Sequence, residues 1–252
     1  MKLLYSQNIN ISFVLVETKY SGNLGLCARA IKNFGFTKLV LVNPLCKIDN
    51  EARYRAMHAQ DILDNIKIFN TMDEFIEKEK PTTIIGTTAR IGSESNPLRI
   101  AISLESIRNA TIPYDTHISI LFGNEERGLK NIDLEKCDFV ITIPASGIYP
   151  TLNLSHAVAI VAYEFSLAVK TFRELPYRAA NRTEKNILIE TFNNILNVVY
   201  PDMPEPRKEI YRGIIRNFIC RAFLSGREAH SLIGFAKKIL KFLCAKNCDT
   251  SD

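Results

Sequence analysis

The sequence predicts an α/β fold with a mainly parallel sheet, and two observations carry that prediction. Short apolar runs rich in β-branched residues alternate with stretches whose apolar residues recur at helical spacing, the order that builds strand, helix, strand units. The runs are also apolar throughout rather than on every second residue, which is the pattern of strands buried on both faces.

Ile11 to Val16 (ISFVLV) is the first such strand. The turn Ser21-Gly22-Asn23-Leu24-Gly25 comes next, and Leu24, Ala28, Ile31 and Phe34 then fall on one helical face before Gly35 ends the helix. Leu39 to Val42 is the second strand. Thr83 to Gly86, Ile118 to Phe122 and Phe139 to Ile143 are further strands, with helices expected at Ala52 to Asn65, Met72 to Lys78 and Ser103 to Asn109. A loop containing Pro144, Gly147 and Pro150 leads into a long apolar helix, Asn153 to about Phe172, which closes a first domain over residues 1–172. The polar stretch Glu174 to Arg182, with Pro176, reads as a linker. The remainder of 173–252 reads as helices only, at Thr183 to Val199, Glu205 to Ser225 and Arg227 to Lys246. Pro201, Pro204 and Pro206 separate the first pair and Ser225-Gly226 the second.

At 252 residues, 46% hydrophobic and 23% charged, the chain is neither disordered nor collagen-like. The net charge is +5, and residues 1–172 carry 18 basic and 18 acidic side chains, so the whole excess lies beyond Phe172. A neutral body with a basic tail suits a polyanionic partner, although a solvated helix face accounts for such charge equally well. The six cysteines are scattered without a CxxC pair or the His spacing of a zinc site, which points to reduced thiols in a cytosol and to no metal. The polar start and the lack of any apolar run of ~18 residues predict a cytoplasmic protein that does not enter a membrane.

The glycine-rich loops fail the tests of nucleotide chemistry. Gly123-Asn124-Glu125-Glu126-Arg127-Gly128 has phosphate-loop spacing, but Leu129-Lys130 stands where Lys then Ser or Thr is required, and two carboxylates would repel phosphates. Gly22 and Gly25 lack the spacing of a dinucleotide turn and match only the short GxxG of a KH loop. His58, His117, His156 and His230 are far apart, and no hydrolase triad is visible. The residues by themselves give a ligand cleft at the strand ends, made by Thr87-Thr88-Ala89, Gly123 to Gly128 and Tyr149 to Asn153, with its chemistry open.

At those same loops the sequence resembles the SPOUT class of RNA methyltransferases, in the SpoU or TrmH-like branch that methylates the ribose 2′-hydroxyl, and within it the TrmJ type. The resemblance rests on three ordered motifs: Val14 to Thr18 with Ser21-Gly22-Asn23-Leu24-Gly25, Ala28-Arg29-Ala30 and Asn33-Phe34-Gly35; Leu121 to Leu129; and Leu152-Asn153-Leu154-Ser155-His156-Ala157-Val158. Leu41 to Pro44, Gly86 to Arg90 and the helical tail are also similar, so that nearly the whole chain is covered. The resemblance implies a sheet whose C-terminal part forms a deep trefoil knot, an exception to the rule that chains do not knot. It implies S-adenosylmethionine in the knot, lined by Thr87, Thr88, Ala89, Gly123, Ile143, Pro150, Thr151 and Leu152. It further implies catalysis by Arg29, whose guanidinium would grip a phosphate and stabilise charge on the 2′-oxygen rather than act as a base, with Asn23, Asn153 and Ser155 as polar partners. Glu125 matches the carboxylate of the second motif, whereas Asn124 and Glu126 stand where bacterial members often carry arginine.

The implied substrate is tRNA, methylated at position 32, and the implied assembly is a homodimer in which an arginine of one subunit can serve the other's cofactor site. Arg207, Lys208, Arg212, Arg216 and Arg221 are the tail residues expected to meet phosphates. Methylation of another tRNA position or of rRNA, a non-catalytic RNA-binding protein of the same fold, and a small-molecule enzyme using the same cleft are the alternatives.

Overall fold

A computed structural model describes residues 9–89, 101–171 and 173–249 of the chain. In chain order the strands are β1 (Asn10–Val16), β2 (Lys38–Val42), β3 (Lys67–Phe69), β4 (Thr83–Thr87), β5 (Ala101–Ser103), β6 (Thr111–Tyr114), β7 (His117–Phe122), β8 (Phe139–Thr142) and β9 (Arg173–Arg178). The helices are α1 (Ser21–Asn33), α2 (Asn50–Ala56), α3 (Gln60–Asp64), α4 (Met72–Glu79), α5 (Asn131–Glu135), α6 (Leu154–Thr171), α7 (Arg182–Val199), α8 (Glu205–Arg221) and α9 (Gly226–Asp249). Among the described residues seven strands form one sheet in the order β3-β2-β1-β7-β4-β8-β5, and every pairing in it is parallel.

Both faces of the sheet are covered, as the uninterrupted apolar strands require. Phe13 and Leu15 of β1 join Ile120 and Phe122 of β7 in a core that takes in Leu24 and Ile31 of α1 and Val161 and Phe165 of α6. Val14 and Val16, on the opposite face of the same strand, pack with Val40, Val42, Phe75 of α4 and Leu121. The period of two along an extended strand sorts these side chains to opposite faces.

The structure differs from the sequence expectation at four places. The helix expected over Ala52 to Asn65 is broken: α2 stops at Ala56, Met57 takes φ 52°, and one 3₁₀ turn (Met57–Ala59) precedes α3. The segment Leu104–Asn109 is a 3₁₀ helix rather than an α-helix. The stretch read as a linker contains β9, which pairs in parallel with β6 from Thr111↔Arg173 to Pro113↔Leu175 and then shifts register to Tyr114↔Arg178. Short strands β3, β5 and β6, and helix α5, have no counterpart in the sequence reading, because segments of three to five residues are too short to establish a period.

Helices α7, α8 and α9 share a small core of Leu188, Ile219 and Ile233. This helical unit is tied to the sheet by a buried polar cluster. The Lys185 ammonium donates to the Thr82 carbonyl at 2.8 Å and lies 3.8 Å from Asp138 Oδ1, with 3% of its side chain exposed. Asp138 Oδ2 accepts the Ile84 amide at 2.7 Å and Arg182 Nη1 at 3.4 Å. Arg178, at the end of β9, makes a bidentate pair with Glu184, which also closes a capping box with Asn181 at the start of α7. No described helix is long and apolar enough to cross a membrane.

Candidate functional site

A cleft opens at the carboxyl ends of β4, β7 and β8, where an open α/β sheet presents its loops to ligands. Including its open mouth it encloses about 930 Å³, within the range of small-molecule sites. All eight residues expected to meet a cofactor line it: Thr87, Thr88 and Ala89 at and after the end of β4, Gly123 after β7, Ile143 after β8, and Pro150, Thr151 and Leu152 ahead of α6. Arg90, at the end of the second linking segment, lies outside the described residues.

Two of these residues fasten the strand ends together. Thr87 Oγ1 donates to the Leu121 carbonyl at 2.8 Å, and the Thr88 amide to the Ile141 carbonyl at 3.0 Å. The loop after β7 is shaped by its own residues. A Cβ on Gly123 would fall 2.0 Å from the Gly128 carbonyl carbon and 2.1 Å from the Leu129 nitrogen, so no larger residue fits where the chain doubles back. The buried Asn124 holds that turn: its Oδ1 accepts the Glu126 amide at 3.0 Å, its carbonyl accepts the Gly128 amide at 2.8 Å, and its Nδ2 donates to the Glu17 carbonyl at 2.8 Å. Asn124 is thus committed to the fold.

Glu125 gathers the residues at the start of α1. Its carboxylate accepts Thr18 Oγ1 at 3.0 Å, the Lys19 amide at 2.9 Å, the Tyr20 amide at 3.2 Å and Asn23 Nδ2 at 3.2 Å. It stands at the start of α1, where unpaired amides and the helix dipole favour a negative charge. Beneath it, burial, and then the Glu125 charge, push the Cys27 thiol far above its ordinary range, so Cys27 is an inert core residue. Glu126 forms an ion pair with Lys19 at 2.5 Å and accepts Tyr20 Oη at 3.0 Å. Those bonds, with Lys19 first, hold its carboxyl below the usual range.

Three of the four expected catalytic residues form one hydrogen-bonded chain from that carboxylate. Asn23 donates to Glu125, Asn153 Nδ2 donates to Asn23 Oδ1 at 3.2 Å, and Asn153 Oδ1 accepts both the Ser155 amide at 2.9 Å and the Ser155 hydroxyl at 2.7 Å. The chain runs from the first motif to the third across 130 residues of sequence. Asn153 meanwhile caps α6, so its capping and networking roles coincide. The fourth, Arg29, is on α1 and exposed, does not line the cleft, and makes no hydrogen bond or ion pair with the described residues.

The basic tail is rearranged relative to expectation. Lys208 is buried and donates to the Pro201 carbonyl at 3.1 Å, Arg212 pairs with Glu205 and Glu209, and Arg216 donates to the carbonyls of Glu135 and Cys137. Arg221 turns back to the Asn217 carbonyl at 3.0 Å, which leaves Arg207 as the member of that set whose side chain is exposed and without a partner among the described residues. Sequence reasoning missed Lys237, Lys238 and Lys241 of α9, which are exposed and unpaired within the described residues. It placed Thr18 in the first motif without assigning it a contact and missed Lys19 and Tyr20, since hydrogen bonding to a loop more than 100 residues away leaves no local signal.

The profile of the SpoU rRNA methylase family matches residues 10–163. Over 231 residues the chain is 39% identical to the tRNA (cytidine-2′-O-)-methyltransferase TrmJ of Methanocaldococcus jannaschii, covering 91% of this chain and 99% of that protein. It is also 39% identical over 160 residues to the tRNA (cytidine/uridine-2′-O-)-methyltransferase TrmJ of Pectobacterium atrosepticum, a match that spans 63% of this chain and 65% of the relative. Among solved structures, TrmJ from Z. mobilis ZM4 superposes with a TM-score of 0.63 at 26% identity, over 90% of this chain and 98% of that one.

Proposed function

The chain belongs to the SpoU rRNA methylase family, and on that premise we propose that it transfers a methyl group from S-adenosylmethionine to the ribose 2′-hydroxyl of a pyrimidine nucleotide in tRNA, at position 32 of the anticodon loop. One observation carries the reading: eight loop residues converge on a single cleft in a chain that aligns along nearly its whole length with a tRNA 2′-O-methyltransferase. The choice of position 32 rests on the resemblance to the TrmJ type.

The cleft suits the cofactor chemically. Ile143, Leu152 and Ala157 supply apolar surface for an adenine, while the backbone around Thr88, Ala89 and Gly123 supplies polar groups with no side chain intervening at the glycine. When bound, S-adenosylmethionine supplies a methyl group on a positively charged sulfur. The protein's task is then positioning, which accounts for much of the rate of such a displacement. Arg29 grips a phosphate beside the target ribose and stabilises negative charge developing on the 2′-oxygen; a guanidinium does not give up its proton at neutral pH, so a base role is unsuited to it. Asn23, Asn153 and Ser155 fix the start of α1 against the start of α6 and so set the cleft relative to Arg29.

The stretch from β8 to α6 threads the trefoil knot, a reading supported by the placement of β8 inside the sheet between β4 and β5. Residues 1–172 form the methyltransferase domain and 173–252 a helical RNA-binding region, and the protein works in the cytoplasm. It acts as a homodimer. Supporting this are the exposed Ile148 (96%) and Tyr149 (77%), which precede the cleft-lining Pro150 in sequence, the half-exposed Tyr163 on α6, and the absence of Arg29 from its own subunit's cleft. The test is transfer of labelled methyl to unmodified tRNA, with mapping of the product. A 2′-O-methyl at position 32 supports the reading; methylation elsewhere removes the TrmJ-type substrate, and tRNA binding without transfer favours a non-catalytic protein.

A further inference from the structure

A second cleft lies beside the first, and the two share a wall. Glu125 and Glu126 line the cofactor cleft from one side, and the residues they bind, Lys19, Tyr20 and Asn23, line the second cleft from the other. Its remaining edge comes from the segment after β2 and from α2, including Lys47, Glu51 and Arg55. Along α1 it is lined by Tyr20, Asn23 and Leu26, spaced by three, and Arg29 continues that row by one turn. A group seated there lies against Asn23 of the polar chain, about one helical turn of α1 before the proposed catalytic arginine.

Most polar groups of this cleft are already engaged. Asp49 caps α2 by accepting the Ala52 amide at 3.0 Å, a bond that holds its carboxyl below the usual range, and Lys19 is paired with Glu126. Glu51 is different. Its side chain is 58% exposed and, among the described residues, its carboxylate is paired with Arg55 alone, at 3.8 Å, an acceptor beside a donor on one face of α2. The carboxylate lies over α1 at Gly22, where a Cβ would come within 2.7 Å of Glu51 Oε1; the missing side chain leaves it room to face the cleft. Tyr20 is 47% exposed, its hydroxyl is fixed by Glu126, and the Lys19 ammonium sits over the ring, 5.3 Å from its centroid, where it adds positive charge beside a stacked base.

We propose that this second cleft seats the target nucleobase, with Tyr20 as a stacking surface and the Glu51–Arg55 pair reading cytosine in preference to uracil. The inference rests on the RNA-methyltransferase reading above and names the base it acts on. Unpaired loop bases are recognised by stacking on aromatic rings and by hydrogen bonds to their Watson–Crick edges. Cytosine presents the N4 amino donor and then the N3 and O2 acceptors, which matches a carboxylate followed by a guanidinium. Uracil places the O4 acceptor against the carboxylate, an unpaired and repulsive contact. A carboxylate accepting from cytosine N4 is an established pairing, and good base-edge pairs discriminate by roughly 5- to 100-fold.

The test uses two unmodified anticodon stem-loop RNAs that differ only by C or U at position 32, with the full-length protein, its Glu51→Gln variant, and Tyr20→Ala and Tyr20→Phe. Equilibrium binding is measured alongside methyl transfer. The expected result is tighter binding and faster transfer for the C form by wild type, a ratio reduced severalfold in E51Q, weaker binding of both RNAs by Tyr20→Ala, and recovery by Tyr20→Phe. Cofactor affinity of E51Q stays within about twofold of wild type and reports that the protein is folded. Equal binding of the two RNAs by wild type, or an unchanged ratio in E51Q, overturns the proposal. If methyl is transferred to neither RNA, the enzymatic reading fails on its own account, and the binding ratios still decide whether the cleft distinguishes the two bases.

Discussion

Arg29 and Gly123 are the two positions at which the proposed function is tested by a single substitution, one without partners among the described residues and one without room for a side chain. Arg29 has no partner among the described residues, so its removal disturbs no internal contact. Arg29→Ala is expected to lower methyl transfer by ~100-fold or more, the scale on which a single charge-stabilising donor acts, while cofactor affinity measured by calorimetry changes little. A parallel loss of cofactor binding would mean that the substitution damages the fold and that the assigned role is wrong. Gly123 is the opposite case. A methyl group there collides with backbone at Gly128 and Leu129, and Gly123→Ala should abolish cofactor binding and lower the melting temperature. Arg29 was legible in the sequence only through its motif, because one exposed arginine on a helix has no distinguishing local pattern. The task of Glu125 was not legible, since its four partners come from another strand end.

Among the elements, the strands and long helices can be read from the sequence, and the joints between them cannot. Lys185 reads in the sequence as an ordinary helix lysine, yet it is buried against Thr82 and Asp138 and holds α7 to the sheet. Removing one partner of a buried pair strands the other, so Lys185→Ala should cost about 3–5 kcal/mol in chemical denaturation. The Lys185→Met, Asp138→Asn double variant should lose less than the two single variants summed; a double loss equal to that sum would show that the two residues are not coupled. Glu184 gives the pH dependence of the same joint. Its bonds to Arg178 lower its pKa from 4.5 to about 2 despite some burial. A depressed carboxylate contributes stability that is complete above 4.5 and is lost as the pH falls through that value toward 2. Thermal melts of wild type should therefore lose stability across this window, and Glu184→Gln should show a flatter dependence there from a lower starting point. The segment read as a linker became β9 because β6, itself only four residues long, offers a strand edge that sequence inspection does not reveal.

For the molecule as a whole, the excess of positive charge beyond Phe172 is real in the sequence, but its position in space differs from the expected one. Arg212 and Arg216 are held by carboxylates and carbonyls, whereas Lys237, Lys238 and Lys241 on α9 are free to meet phosphates. Replacing all three lysines by alanine should weaken tRNA binding and lower the slope of log affinity against log salt by up to about 3, one for each phosphate that is no longer neutralised. Replacing Arg212 should leave that slope unchanged; the reverse outcome would return the RNA-binding surface to α8. By itself the sequence determined the parallel sheet buried on both faces, the order of its main elements, the loops that line the cleft and the motif carrying Arg29, because periodicity and short motifs are local properties of the chain. The tertiary structure alone decided which cations remain free among the described residues, how Asn23 links Glu125 at the start of α1 to Asn153 at the start of α6, where α2 breaks, and that Tyr20, Asn23 and Glu51 border one cleft. The polar chain joins residues separated by 130 positions, and the packing of the sheet sets such meetings.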